Sequence, residues 1–332
     1  MQKVTQEALI SRAASLLEDG TVSAVLGWRR GEFDWDMTPA VFTTAEDLAE
    51  NFIYNDFCGA DLSKYLLRQT RKIEGKILVF LKPCDTYSFN QLLTEHRFDR
   101  ERVYAIGIPC DGMADIHRIR EITGDGIARI EADGENLLVH TLYDDEPKTV
   151  AVADVLAERC ASCKSKKHVA YDELIGEDGE VTDSDRFDEV KKLESMTADE
   201  RFAFWQGELS RCIRCNACRD ACPACTCEVC VFDNPKSGVE NKAPGGEFEE
   251  KLFHIIRAFH VAGRCTDCGE CSRVCPQNIP LHLLNRKVIS DINGFWGDYQ
   301  AGAEEGQRGP LVNFTFDDME PSDRKQGGDG NA

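Results

Sequence analysis

The chain has 332 residues, with 39 Lys plus Arg against 59 Asp plus Glu, a formal net charge of −20. It is too long for a ferredoxin alone and suits two domains and a tail, and a balance so acidic repels nucleic acid and anionic lipid. Apolar runs are short, such as residues 77–81, so no membrane-spanning helix is expected; with no basic stretch and apolar core of a secretion signal, the expectation is a cytoplasmic protein that meets a membrane only through a partner.

Sixteen cysteines would mean disulfides in a secreted chain. Without a signal, and in tight C-x-x-C runs, they point to metal instead.

In chain order, residues 4–17 read as an amphipathic helix, with Ile10, Ala13, Ala14 and Leu17 on one face and Gly20 as its stop. Residues 22–28 read as a strand. An internal echo follows. The apolar run 76–81 ends in Lys82-Pro83-Cys84-Asp85, and the run 103–108 ends in Pro109-Cys110-Asp111-Gly112. Helical patterns follow each, over 88–96 and 113–120. Strand, P-C-D turn and helix, twice over, predict consecutive βα units of a buried, mainly parallel sheet. Cys84 and Cys110 then stand at the carboxyl ends of strands and near helix N-termini, where open α/β sheets bind ligands and a thiolate is favoured. Cys160-Ala-Ser-Cys163 adds a C-x-x-C with lysines behind it. Cys84, Cys110, Cys160 and Cys163 are thus four candidate ligands for a [4Fe–4S] cluster. A redox disulfide between Cys160 and Cys163 is the competing reading, and structural thiols are the bland one. The α/β domain is expected over 1–175.

The acidic, Gly-containing stretch beginning at Gly176 reads as a linker over 176–196. A mostly helical dicluster ferredoxin-like domain is expected over 197–300. Thr197-Ala-Asp-Glu200 is a capping box, followed by Phe202, Trp205 and Leu209 on one face. Then Cys212-x-x-Cys215-x-x-Cys218-x-x-x-Cys222-Pro223 recurs as Cys265-x-x-Cys268-x-x-Cys271-x-x-x-Cys275-Pro276. Three cysteines of each run wrap a cubane and the fourth ligates the other cluster. The predicted sets are therefore Cys212, Cys215, Cys218 with Cys275, and Cys265, Cys268, Cys271 with Cys222. Zinc ribbons would need paired C-x-x-C units. Arg211, Arg214, Arg219, Arg264 and Arg273 beside these ligands either offset cluster charge or are ordinary solvated surface. Between the runs, from Pro244-Gly245-Gly246, a helix is expected to bury Phe248, Leu252, Ile255, Ile256 and Phe259. His254 and His260 read as surface or packing residues of that helix. Another helix starts near Ile279.

Cys225, Cys227 and Cys230 follow Pro223 in Pro-Ala-Cys-Thr-Cys-Glu-Val-Cys and remain, with Cys58, outside the three sets. They form a fourth set, or take a non-cysteine fourth donor, or are packing or reactive thiols; Cys58 is also open to a place in the N-terminal set. Residues 301–332 read as an acidic tail that is disordered or docks on a partner, with 311–316 as a short docking segment.

Lys82-Pro-Cys-Asp, Gly107-Ile-Pro-Cys-Asp-Gly112 and the dicluster runs resemble the beta subunit family of coenzyme F420-reducing hydrogenases and dehydrogenases, formate dehydrogenase beta subunits included. Residues 257–265 are similar to the helical ferredoxin domains of heterodisulfide-reductase-type subunits. The resemblance implies an oxidoreductase subunit with FAD passing electrons between a two-electron carrier and the clusters. Its partners would be catalytic hydrogenase, formate dehydrogenase or heterodisulfide-reductase-like subunits of an anaerobe. The chain departs from the flavin-binding pattern, having no G-x-G-x-x-G, and Gly107 and Gly112 alone do not make a phosphate loop. The first reading is thus a cytoplasmic electron-transfer subunit with three or four [4Fe–4S] clusters; the alternative keeps its own FAD. An iron–sulfur regulator on nucleic acid would show a basic patch or a helix-turn-helix, and neither is present.

Overall fold

The computed structural model describes residues 4–182, 184–237 and 247–312, the first four of the last stretch by backbone alone. The expected helix start at Pro244-Gly245-Gly246, the Phe248 side chain and the tail beyond residue 312 lie outside these.

The helices are α1 Gln6–Glu18, α2 Ala45–Asn51, α3 Ser63–Lys72, α4 Pro83–Thr94, α5 Ile116–Thr123, α6 Glu158–Ala161, α7 Asp188–Glu194, α8 Ala198–Ser210, α9 Ala217–Asp220, α10 Glu247–His260, α11 Glu270–Arg273 and α12 Leu281–Trp296. The strands are β1 Ala24–Arg30, β2 Met37–Phe42, β3 Ile77–Leu81, β4 Val103–Gly107, β5 Ile127–Asp133, β6 Asn136–Thr141, β7 Lys148–Ala151 and β8 Glu173–Leu174.

One sheet runs β2-β1-β3-β4-β8, with β1, β3, β4 and β8 parallel and β2 an antiparallel edge. Every residue of β3 is buried, as expected of a central parallel strand covered on both faces. A second sheet, the antiparallel meander β5-β6-β7, went unread in the sequence. Its Leu137, Val139 and Val150 pack on Ile119 of α5 and Val155.

The two P-C-D turns differ. Cys84 sits in the first turn of α4. After Cys110 the chain stays irregular until α5 begins at Ile116, N-capped by Asp115. The expected helix over 113–120 is therefore displaced, and Cys110 is not at a helix N-terminus. The Lys82 ammonium explains part of the asymmetry. It is 1% exposed, bonds Asp85 Oδ2 at 2.7 Å and Ala60 O at 3.0 Å, and lies over the Trp28 ring; Asp85 also accepts from the Lys82 backbone N–H, tying the start of α4 to the lysine from both ends. The second turn has Gly107-Ile108 where the first has Leu81-Lys82, so the device is missing.

α4 is buried along nearly its whole length because the C-terminal half covers it. Ser88 Oγ meets Thr266 Oγ1 at 2.9 Å and Asn90 donates to Gly302 O at 3.1 Å. Gly302 has φ +76°, and a Cβ there would fall 1.9 Å from Tyr87 O, so only glycine closes this seam. The stretch after Gly176 folds back rather than hanging free. His168 Nδ1 meets Asp178 Oδ1 at 2.6 Å, Lys166 N donates to Glu180 O, Ser184 Oγ donates to Cys163 O, and α7 lies within 176–196.

α8 opens on the expected capping box, Thr197 with Glu200. α10 does not bury the expected stripe. Ile255 and Phe259 are 44% and 65% exposed, while Phe253, His254, Arg257 and Ala258 are buried. The helix turns its cation and imidazole toward the cysteine loops. Local charge there outweighs the apolar periodicity, which ranks the same residues as surface.

Candidate metal centres

Cys84, Cys110, Cys160 and Cys163 line one cavity. Two come from beyond the ends of β3 and β4; two come from α6 and the loop after it. His168 ties the region together from beneath, with Nε2 at 3.1 and 3.2 Å from Leu81 O and Ile108 O. Lys82, Arg159, Lys164, Lys166 and Arg286 also line the cavity, against one carboxylate, Asp267. Five cations round five thiols, Cys268 among them, in a chain of net charge −20 fit an anionic, thiolate-held centre, though Lys82, Arg159 and Arg286 also pair with Asp85, Glu270 and Asp267. Burial pushes Cys110 up to about 12 and Cys84 well above the usual thiol range. These thiols stay protonated until a metal displaces the proton.

Cys212, Cys215, Cys218 and Cys275 line a second cavity; these are the four cysteines that the spacing groups together. Cys265, Cys268 and Cys271 have Cys222 as an electrostatic neighbour, the grouping the spacing expects for the other set. The two loops share a backbone device that the sequence did not disclose. Arg214 and Asn216 in the first, and Asp267 and Gly269 in the second, all have positive φ, and each loop runs into a short helix, α9 or α11. Alternating left-handed residues turn successive N–H groups into a concavity suited to an anion or an iron–sulfur cluster. Among the described residues no group of three or more donors converges on a single-ion site; a cubane spreads its thiolates over separate corners and needs no such point.

The sets are contiguous. Cys268 lines the first cavity beside Cys84 and Cys160, and Cys271 is an electrostatic neighbour of Cys218. Arg159 spans the first boundary. Its guanidinium donates to Cys268 O (2.8 Å), Glu270 Oε1 (2.6 Å) and Gly59 O (2.7 Å), while Nε finds no protein partner. Both flanking glycines are needed: a Cβ at Gly59 or Gly269 would lie 2.9 or 2.8 Å from the Arg159 side chain. Arg273 and Arg159 hold Glu270 at about 2 despite complete burial. His254 Nε2 lies 3.3 Å from Cys212 Sγ, so this histidine is neither surface nor plain packing. Burial, with Arg257 and Arg214 nearby, lowers it to about 3. An imidazole this close to a predicted ligand sulfur is the kind of contact that tunes a cluster. No sequence signal separated it from His260, which is exposed.

The flanking arginines divide by partner. Arg264 pairs with Glu95, Arg219 with Asp220 and Asp233, Arg211 with Glu208, and Arg273 with Glu270. Arg214 lies over the Phe253 ring at 4.1 Å.

Cys58 joins no set. It is fully buried and bonded to Ile53 O and Asn55, and burial raises it to about 12. Cys225, Cys227 and Cys230 line a different groove, beside Arg257 and Arg264. The expected fourth set with Cys58 therefore does not assemble: Cys58 belongs to the core under β1 and β3.

The family model of the 4Fe-4S dicluster domain matches residues 208–279. The F420-dependent formate dehydrogenase subunit beta of Methanocaldococcus jannaschii is 24% identical over 84% of this chain and 88% of its own. Subunit beta of F420-dependent formate dehydrogenase 1 of Methanococcus maripaludis is 25% identical over 82% of this chain and 84% of its own. A putative ferredoxin-3 of Sinorhizobium fredii is 33% identical over 24% of this chain and 76% of its own. Over most of its length, then, the chain is a homologue of formate dehydrogenase beta subunits and carries a 4Fe-4S dicluster domain in its C-terminal half.

Proposed function

We propose that the chain is the iron–sulfur electron-transfer subunit of a multisubunit, cytoplasmic oxidoreductase. A catalytic subunit of formate dehydrogenase or hydrogenase type would exchange electrons with it. Its [4Fe–4S] ligands are the two crossed dicluster sets and a third set, Cys84, Cys110, Cys160 and Cys163. The observation that carries the reading is the shared wall: Cys268, in the predicted Cys265 set, lines the cavity of the third set. Clusters so placed store single electrons and pass them on. The protein's part is to supply thiolates, cations and a dry path. No described helix is long and apolar enough to cross a membrane.

Iron and acid-labile sulfide counted on anaerobically purified chain test this. A C84S/C110S variant should lose about four irons and one electron paramagnetic resonance signal while keeping the two ferredoxin signals. Iron content equal to the parent's would remove the third set from the proposal.

One observation favours a second reading, with FAD bound to the chain. A groove beside the first cavity is lined by Trp35, Phe57 and Ile122, apolar faces for a ring system, with Arg118, Arg211 and Arg273 paired to Glu158, Glu208 and Glu270. Stoichiometric flavin released on denaturation would support it.

A further inference from the structure

Cys225, Cys227 and Cys230 all line one open groove between the dicluster loops and α3 of the N-terminal half. The loop that bears them is fastened at two successive carbonyls. Arg264 Nη2 donates to Ala224 O at 3.0 Å and Lys64 Nζ donates to Cys225 O. Arg264 is itself anchored on Glu95. The three thiols are thus presented by a braced loop, with Cys227 exposed and the other two half-buried.

Arg257 supplies a second, independent observation. It is 5% exposed and lines the same groove. It donates from Nη1 to Cys218 O at a long 3.5 Å and bonds the Cys271 side chain, while Nε has no partner among the described residues. A buried guanidinium so sparsely bonded is costly unless negative charge faces it. Beside His254, its electrostatic neighbours are four thiols: Cys271, Cys218, Cys222 and Cys225. Three of these lie in the dicluster sets; the fourth belongs to the groove. Cys225 N donates to Cys222 O at 3.1 Å, so the groove's first thiol lies one turn from a predicted ligand of the Cys265 set.

We propose that Cys225, Cys227 and Cys230 hold a further [4Fe–4S] cluster by three thiolates, leaving its fourth iron open to the groove. The inference rests on the reading of the dicluster cysteines as ligands. It makes the Cys222, Cys265, Cys268 and Cys271 set a branch point. That set touches the N-terminal cavity through Cys268, the Cys212 set through Cys271 and Cys218, and the groove through Cys222 and Cys225. A chain wired this way has three arms rather than one line. The open iron lies at the exposed end of one arm, accessible to an external thiol or other soft donor.

The test uses the full chain, reconstituted anaerobically, as parent, C227S/C230S and C84S/C110S. The parent should hold about sixteen irons, and C227S/C230S about twelve with both ferredoxin signals intact. A C227S/C230S iron count equal to the parent's overturns the proposal. A C84S/C110S count equal to the parent's bears on the third set alone, so the two readings fail separately. A second measurement avoids any question of variant folding. In the loaded parent, Cys227 should resist iodoacetamide and become reactive after the clusters are removed by chelator and oxidant. Rapid alkylation of Cys227 in the loaded protein, with no loss of iron, also overturns the proposal.

Discussion

Arg159→Met removes the cation at the boundary between the N-terminal cavity and the Cys265 set. Its electrostatic neighbours include Cys160, Cys84 and Cys268. At an effective dielectric constant of about 20, a unit charge about 6 Å from a redox centre is worth about 2.8 kcal/mol. For a one-electron couple this is about 120 mV. Glu270 does not offset the change, because Arg273 still bonds it at 2.7 and 2.8 Å and keeps it ionised in the variant. A reduced cluster carries one more negative charge, so losing the cation lowers the midpoint. Redox titration followed by electron paramagnetic resonance should therefore show two clusters moving negative by on the order of 100 mV. The Cys212 set, on the far side of the Cys265 set, should move much less. Arg159→Lys keeps the charge and should recover most of the shift. Equal movement of all three signals, or none at full iron content, would refute the assignment of Arg159 to this boundary.

Asp61 is fully buried, and burial with Asp85 nearby raises its carboxyl to about 7 from 3.8. A raised carboxyl stabilises the fold below the unfolded value and that contribution is lost as pH rises through the folded one, here about 3 units or about 4 kcal/mol at most. Asp61→Asn should thus resist denaturant better than the parent at pH 8 and no better at pH 4; an equal midpoint at pH 8 counts against it. His254→Phe should lower the potential of the Cys212 set. Redox titration at full iron content checks this, and an unchanged midpoint would show that the imidazole does not bond the Cys212 sulfur. Cys58→Ala should leave iron and sulfide per chain unchanged, as its thiol faces Ile53 and Asn55; losing four irons would return Cys58 to a ligand set.

Several parts of the fold were legible because they are local. The capping box at Thr197 needs only a four-residue span, and β3 and β4 are short apolar runs ending in turn residues. The crossed pairing of the dicluster cysteines follows from a spacing too short for one run to close its own cubane. The meander β5-β6-β7 was missed because its burial is one-sided and broken by a register shift between Ile127 and Arg129. The face of α10 was misread for a different reason. Periodicity scores Ile255 and Phe259 as core, yet the thiol loops draw Arg257 and His254 inward.

Sequence alone determined the chemistry. Sixteen cysteines, two of their runs in three-plus-one spacing, point to iron–sulfur clusters. It also named Cys84, Cys110, Cys160 and Cys163 as candidates from their places beyond strands and beside lysines. Only the tertiary structure decided who meets whom. Two βα units and a distant C-x-x-C bring those four thiols to one cavity, because parallel strands place their following loops on one edge. It placed Cys58 in the core and Cys225, Cys227 and Cys230 in a groove of their own. It also threaded Arg159 between Gly59 and Gly269, an arrangement set by the packing of two halves roughly a hundred residues apart in the chain, and so beyond any local pattern.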